Sequence, residues 1–168
     1  MALSQNPMPF LRNHHQTNIL VVIRWFLMAI LLMGLLGTGV ELLLLEHTEG
    51  LWQQLPLLLI AGSMIVLCWG LLYPGRRSIR MLQGTMILFV LSGLVGFILH
   101  YQGNTEFELE MYPSLKGMEL FWEAISGATP TLAPGTMIQL GLLGLVYTHR
   151  HPQLASSKES PSNDKGKS

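Results

Sequence analysis

Four long runs of apolar residues constrain this chain more than any other feature of its sequence. They cover about residues 19–45, 55–73, 81–100 and 128–148. A helix of about 20 residues crosses the hydrocarbon of a bilayer, and these runs are continuously apolar, whereas the strands of a membrane barrel alternate. Backbone in lipid must satisfy its own hydrogen bonds, so each run favours a helix. The sequence predicts an all-α integral membrane protein built as a four-transmembrane-helix bundle.

The composition supports a membrane location. Hydrophobic residues make up 49% of the chain and charged residues 12%, and the mean hydropathy is +0.40. A soluble domain carries about twice that charged fraction. The one cysteine, Cys68, lies inside an apolar run, which excludes an intrachain disulfide and a paired-cysteine metal or redox site.

Basic residues predict how the helices are oriented. They precede the first run, fill the connection between the second and third runs, and follow the fourth: Arg12, Arg24, Arg76, Arg77, Arg80, Arg150, Lys158, Lys165 and Lys167. Lys116 alone falls on the other side. Because cytoplasmic connections retain Lys and Arg, we expect both termini in the cytoplasm, with a bacterial inner (plasma) membrane as the location.

The same pattern divides the chain into three parts. Residues 1–18 are predicted as a cytoplasmic N-terminal tail and residues 19–148 as the membrane domain, with an outer loop over 101–127. Residues 149–168 are rich in Ser, Lys and Pro and have little to bury, which predicts a disordered cytoplasmic tail.

The outer loop begins with three glutamates that alternate with apolar residues, Glu106, Glu108 and Glu110. A period of two predicts a short extended segment with its carboxylates on one side. Two interpretations stay open: a solvated loop, or an acidic outer rim that concentrates cations.

An outer amphipathic segment follows over about 118–126. Its apolar side chains recur at helical spacing, and Glu119 and Glu123 lie on the opposite face. The pattern is typical of a helix that lies on the membrane surface or packs over the bundle. The two glutamates are one turn apart, so with His47 and His100, which lie at outer helix ends, they form a candidate metal site. Solvated surface glutamates are the alternative. Haem between the two histidines is disfavoured because both lie at the rim of the bundle, and no cofactor is predicted.

The last helix is predicted to be broken by Pro130 and Pro134, neither of which can donate a backbone hydrogen bond. The apolar helix after the break, about residues 135–148, spans only about 20 Å, so part of the non-helical backbone must lie below the membrane surface. Transporters use such breaks as ion sites. A proline kink satisfied by neighbouring helices is the alternative.

Two polar residues lie inside apolar runs. Glu41 is an intramembrane carboxylate, which makes it a candidate for an ion pathway, unless it reaches the lipid headgroups. Gln139 is predicted to hydrogen-bond between helices. Small residues at helical spacing, such as Gly141 with Gly144, predict close helix packing inside the bundle.

The sequence contains no phosphate-binding glycine loop, paired-histidine zinc motif or nucleophile elbow, so we expect no enzyme. The leading hypothesis is a non-enzymatic accessory or assembly subunit of a larger membrane complex. Its expected partners are the lipid bilayer and other membrane subunits or itself, without nucleic acid. The alternative is a small cation or proton transporter or sensor that works through Glu41, Gln139 and the break around Pro130 and Pro134.

Overall fold

The computed structural model describes residues 9–46, 48 and 50–155, with side chains from residue 18 onward to residue 154. Across this part of the chain the structure is all-α, with no strand. The helices are α1 (Pro9–Leu44), α2 (Leu51–Leu72), α3 (Arg76–Met111), α4 (Gly117–Ser126), α5 (Gly135–Thr148) and α6 (Pro152–Ala155).

Three helices are long and apolar enough to cross a membrane: Asn18–Leu44 of α1, α2, and α3. Their most apolar windows have mean hydropathies of 2.6, 2.3 and 2.1. The fourth apolar helix, α5, has 14 residues and is shorter than the hydrocarbon of a bilayer is thick. The all-helical prediction is therefore confirmed, and three helices are compatible with membrane spans, whereas the count of four crossings stays a prediction.

Helix α3 is the centre of the fold, because α2, α4 and α5 all pack against it, while α1 packs on α5 and α2. The core of the bundle is apolar. Its fully buried side chains are Leu31 and Leu35 of α1 and Met86 and Phe89 of α3.

Glycines allow α3 and α5 to approach closely. A Cβ atom on Gly141 would lie 2.7 Å from the carbonyl oxygen of Met86, and one on Gly93 would lie 2.7 Å from that of Pro134. Gly144 likewise faces the Met86 side chain. The packing predicted for Gly141 and Gly144 thus occurs within the chain, where any larger residue would push the helices apart.

The bundle has two ends of different character. At one end, which we call the arginine end, the residues around Arg24 meet the end of α5 and the α2–α3 connection. At the other, the asparagine end, Asn104 of α3 contacts the α4–α5 connection.

The prediction of an extended segment at Glu106, Glu108 and Glu110 is wrong. All three lie on α3, which continues 11 residues beyond His100. In a helix Glu106 and Glu110 stack one turn apart and both are exposed, while Glu108 points elsewhere and is half-buried. Glutamate is a good helix former, no proline lies between His100 and Pro113, and α4 packs against this part of α3, so the helix continues to Met111.

Other predicted bounds also shift. Helix α1 begins at Pro9, inside the predicted tail, whereas α5 covers the residues 135–148 that were predicted for the apolar helix after the break. Residues 152–155 of the predicted disordered tail form α6. Residues 1–8 and 156–168 lie outside the described residues, so the predictions for them stay untested.

The amphipathic segment predicted over 118–126 is confirmed as α4. Its Ala124 is buried against α3, and the ring of Phe121 lies 6.0 Å from that of Tyr101. Met118 and Trp122 remain 65% and 61% exposed. The helix therefore packs on α3 through one edge of its apolar side and leaves the other edge uncovered.

Candidate functional site

An exposed polar side chain, Gln139, stands out on the otherwise apolar α5. It makes no hydrogen bond to any other described residue. Three residues on the same side of α5 are exposed with it: Thr136, Leu142 and Val146. We call Thr136, Gln139, Leu142 and Val146 the α5 lateral face.

Gln139 lies near the middle of the apolar part of the bundle. The adjacent residue, Leu140, packs directly against Gly34 of α1. Gly34 follows Arg24 by ten residues, which is about 15 Å along a helix, or about half the thickness of the hydrocarbon. The amide of Gln139 therefore lies well away from the arginine side chains that mark one end of the bundle.

A side-chain amide has one acceptor oxygen and two N–H donors. Leaving such a group without partners in an apolar environment costs about 1–3 kcal/mol, as mutations in proteins show. A polar group on a neighbouring transmembrane helix removes that cost, which is how polar side chains join helices in membranes. The α5 lateral face is therefore suited to a second helix that carries a hydrogen-bonding side chain.

The side-chain amide of Asn104, on α3, has the opposite environment to that of Gln139. It is 2% exposed, and its Nδ2 lies 2.9 Å from the carbonyl oxygen of Ala124, 2.7 Å from that of Thr129 and 2.9 Å from Thr131 Oγ1. Its Oδ1 accepts the backbone N–H of Thr129 at 3.0 Å and the hydroxyl of the same residue. Asn104 therefore fixes the non-helical segment between α4 and α5.

Gly127 is the counterpart of Asn104 in this arrangement. A Cβ atom at Gly127 would come 2.8 Å from Asn104 Cγ, so a larger residue at this position would displace the Asn104 side chain. The non-helical segment is thus satisfied by a neighbouring helix, as the kink interpretation of the proline break requires.

Arg24 performs a similar function at the arginine end. Its Nη1 donates to the carbonyl oxygen of Tyr147 at 2.7 Å, and its Nη2 donates to those of His149 and Arg150 at 3.1 Å each. These carbonyls belong to the last turn of α5 and the residues after it, where helix carbonyls lack partners of their own. A side chain of α1 therefore caps α5.

The residues of the predicted ion pathway are not brought together in a cavity. Glu41 is exposed on α1, Gln139 on α5 and Pro130 in the α4–α5 connection. Pro134 is half-buried directly before α5, with its ring next to Gly96. Neither Glu41 nor Gln139 is buried within the chain, and the pathway stays a prediction.

The predicted metal ligands are likewise dispersed. His100 is half-buried on α3, and Glu119 and Glu123 are exposed on α4. Among the described residues, no three His, Cys, Asp or Glu side chains form a group that could hold a metal ion. His47 lies outside the described residues, so a site that includes it stays a prediction.

Sequence reasoning missed both of the residues that hold the ends of the bundle together. Arg24 was interpreted only as an orientation signal, and Asn104 carried no signal because its partners lie 20 to 27 residues further along the chain. Comparison of the chain with protein-family models, curated proteins and solved structures found no match.

Proposed function

We propose that this chain is a small, non-enzymatic, multi-pass membrane protein that acts as an accessory or assembly subunit of a larger membrane complex. The observation that carries the proposal is Gln139, an amide at mid-bundle depth that is exposed and has no partner among the described residues. Because a lone amide in lipid is unfavourable, a helix of another subunit, or of a second copy, covers it.

The proposal includes four crossings with both termini in the cytoplasm of a bacterial cell. In this proposal α5 and the segment before it form the fourth crossing. The hydrogen bonds of Arg24 to residues 147–150 support it, because they join the end of α5 to the start of the first apolar run. The arginines of the described chain lie at that end, which is typical of the cytoplasmic side of a membrane protein.

The test is gentle extraction of the tagged protein from its host membranes at natural abundance, followed by native mass spectrometry. We expect a stoichiometric second protein or a second copy, and we expect Gln139→Leu to lower its recovery about tenfold, because one lost hydrogen bond in lipid is worth about 1–2 kcal/mol. Gln139→Asn, which keeps the amide, should retain part of it.

Gln102→Leu is the matched control, because Gln102 is exposed on α3 beyond the apolar run and the chemical change is the same. Recovery should not change in that variant. Extraction of the wild-type chain alone, without any stoichiometric protein, would contradict the proposal.

A further inference from the structure

A cavity of about 440 Å³ opens at the arginine end between α1, α2 and α3, and residues 147–153 close one side of it. This volume is within the range that holds small ligands. Most of its wall is apolar: Val21, Trp25, Met28, Val66, Leu67 and Leu71. An apolar cavity between helices, at one end of a membrane-type bundle, is suited to a hydrocarbon chain.

The cavity wall also carries a positive charge that no described carboxylate neutralises. Arg24 lines it, is half-buried, and has no carboxylate partner among the described residues. A guanidinium has five N–H donors, and the carbonyls of residues 147, 149 and 150 occupy three of them. Two donors and a full positive charge remain, and a partly buried charge is unfavourable until an anion is near it.

The described chain cannot supply that anion at this end. Its other charged residues at the arginine end are all basic: Arg76, Arg77, Arg80 and Arg150. Its carboxylates lie towards the asparagine end or on α4: Glu41, Glu46, Glu106, Glu108, Glu110, Glu119 and Glu123. A ligand would supply such an anion, as would Glu159 or Asp164, which lie outside the described residues.

Two further groups in the cavity wall indicate which hydrogen-bonding groups the ligand carries. The Oε1 atom of Gln153, in the cavity wall, is buried and accepts no hydrogen bond from any described residue, so it suits a hydroxyl or N–H donor. His151 Nδ1 accepts the backbone N–H of Gln153 at 3.4 Å, which leaves Nε2 of the neutral ring as a donor. The cavity thus combines a cation and a donor for an anion with an acceptor for a hydroxyl.

We propose that this cavity binds one anionic phospholipid with hydroxyls in its headgroup, with the phosphate on Arg24, a headgroup hydroxyl on Gln153 and an acyl chain along α1 and α2. An acyl chain matches the apolar wall, and a phosphate matches the free guanidinium donors. The site rests on the proposed membrane location but does not depend on the accessory role.

The test is native mass spectrometry of the full chain in detergent with phosphatidylglycerol, with phosphatidylcholine of the same acyl chains, and with glycerol 3-phosphate. One phosphatidylglycerol should bind at least about tenfold more tightly than phosphatidylcholine, and Arg24→Gln should remove that preference. Arg77→Gln, which removes the same charge outside the cavity wall, should leave it unchanged.

A second variant tests the cavity independently of any change of fold that Arg24→Gln causes. Val66→Phe fills part of the cavity and leaves Arg24 unchanged, and it should weaken the binding of phosphatidylglycerol about tenfold. Ile65→Phe adds a similar side chain at the next position, which is exposed outside the cavity, and should have no effect.

Three results would overturn the proposal. These are equal binding of the two phospholipids, an equal loss in Arg24→Gln and Arg77→Gln, or glycerol 3-phosphate binding as tightly as phosphatidylglycerol. If the wild-type chain binds no phosphatidylglycerol, and Glu159→Gln with Asp164→Asn restores the binding, then the anion beside Arg24 is a carboxylate of the chain itself. A chain that binds phosphatidylglycerol but extracts without a partner would contradict only the accessory role.

Discussion

Asn104 binds both backbone groups of Thr129: its Nδ2 lies 2.7 Å from the Thr129 carbonyl oxygen, and its Oδ1 accepts the Thr129 N–H at 3.0 Å. A side-chain amide thus replaces the partners that Thr129 would have in a helix. The segment between α4 and α5 keeps a non-helical backbone because a residue of α3 supplies its hydrogen bonds.

Replacing Asn104 by alanine should lower the free energy of unfolding by about 1–3 kcal/mol, because the segment between α4 and α5 loses the hydrogen bonds of this amide. Asn104→Asp should also be destabilised, because a carboxylate cannot donate to the carbonyls of Ala124 and Thr129. The measurements are denaturant unfolding in detergent and the rate of proteolysis within residues 127–134. Gln102→Ala, at an exposed position of the same helix, is the control. Equal stability of the Asn104 and Gln102 variants would refute this assignment.

The α3–α5 contact predicts opposite results for two glycines. Gly141→Ala places a methyl group 2.7 Å from the Met86 carbonyl oxygen, so the helices must separate, at a cost of about 1–3 kcal/mol. Gly84→Ala, on α3, meets nothing within 4 Å and should not destabilise the fold. Thermal unfolding of both variants in the same detergent tests this contact, and a Gly141→Ala variant as stable as Gly84→Ala would contradict it.

Arg24→Lys should loosen the end of α5 although the charge is kept. An ammonium is a compact point charge and cannot reproduce the planar fork that reaches three carbonyls. Hydrogen exchange of the backbone amides in residues 147–153 should become faster, whereas Arg77→Lys should leave it unchanged. Unaltered exchange in Arg24→Lys would mean that the cap contributes little.

Stability should depend on pH through His151. Burial, and then the positive charge of Arg24, lower the pKa of this imidazole from its ordinary value of 6.5. Below that value the unfolded chain takes up the proton more readily than the folded one, so the contribution of His151 is complete above about pH 6.5 and falls as the pH drops.

The measurement is the difference in melting temperature between wild type and His151→Gln from pH 7.5 down to pH 5.5. Wild type should lose more stability than the variant over this range. His149→Gln, at an exposed neighbouring position, serves as the control and should follow wild type. Parallel curves for wild type and His151→Gln would show that this imidazole does not contribute.

Cysteine labelling tests the proposed orientation, with Cys68→Ser as the background. Arg77→Cys in the α2–α3 region and Ser114→Cys between α3 and α4 lie at opposite ends of the bundle, and both positions are exposed. A membrane-impermeant thiol reagent added to intact cells should label position 114 and not position 77. The reverse pattern would invert the proposed orientation.

The sequence could predict features that depend on local pattern. Continuous apolar runs, helical spacing in residues 118–126 and prolines 130 and 134 were enough for the helical architecture, for α4 and for the break before α5. The close packing of Gly141 and Gly144 could be predicted too, because small residues one turn apart have few other uses in an apolar helix, whereas the contact of Gly93 was not predicted.

The features that were not predicted depend on distant contacts. The extension of α3 to Met111 follows from packing against α4, whereas the alternation of glutamate with apolar residues suggested a strand. Arg24 caps carbonyls 123 to 126 residues away, and no spacing rule connects such positions. Gln139 was recognised as polar in an apolar run, but its exposure could be seen only once α1 and α3 were placed on the other sides of α5.

The Asn104 contacts also have a consequence for how the chain is made. Asn104 is synthesised 20 residues before Ala124 and 27 before Thr131, so the amide leaves the ribosome ahead of its partners. The last apolar helix has 14 residues, which gives it a weak signal for insertion on its own. We expect the third helix, which is synthesised first, to bind the turn that follows α4 and so to bring the last helix beside it.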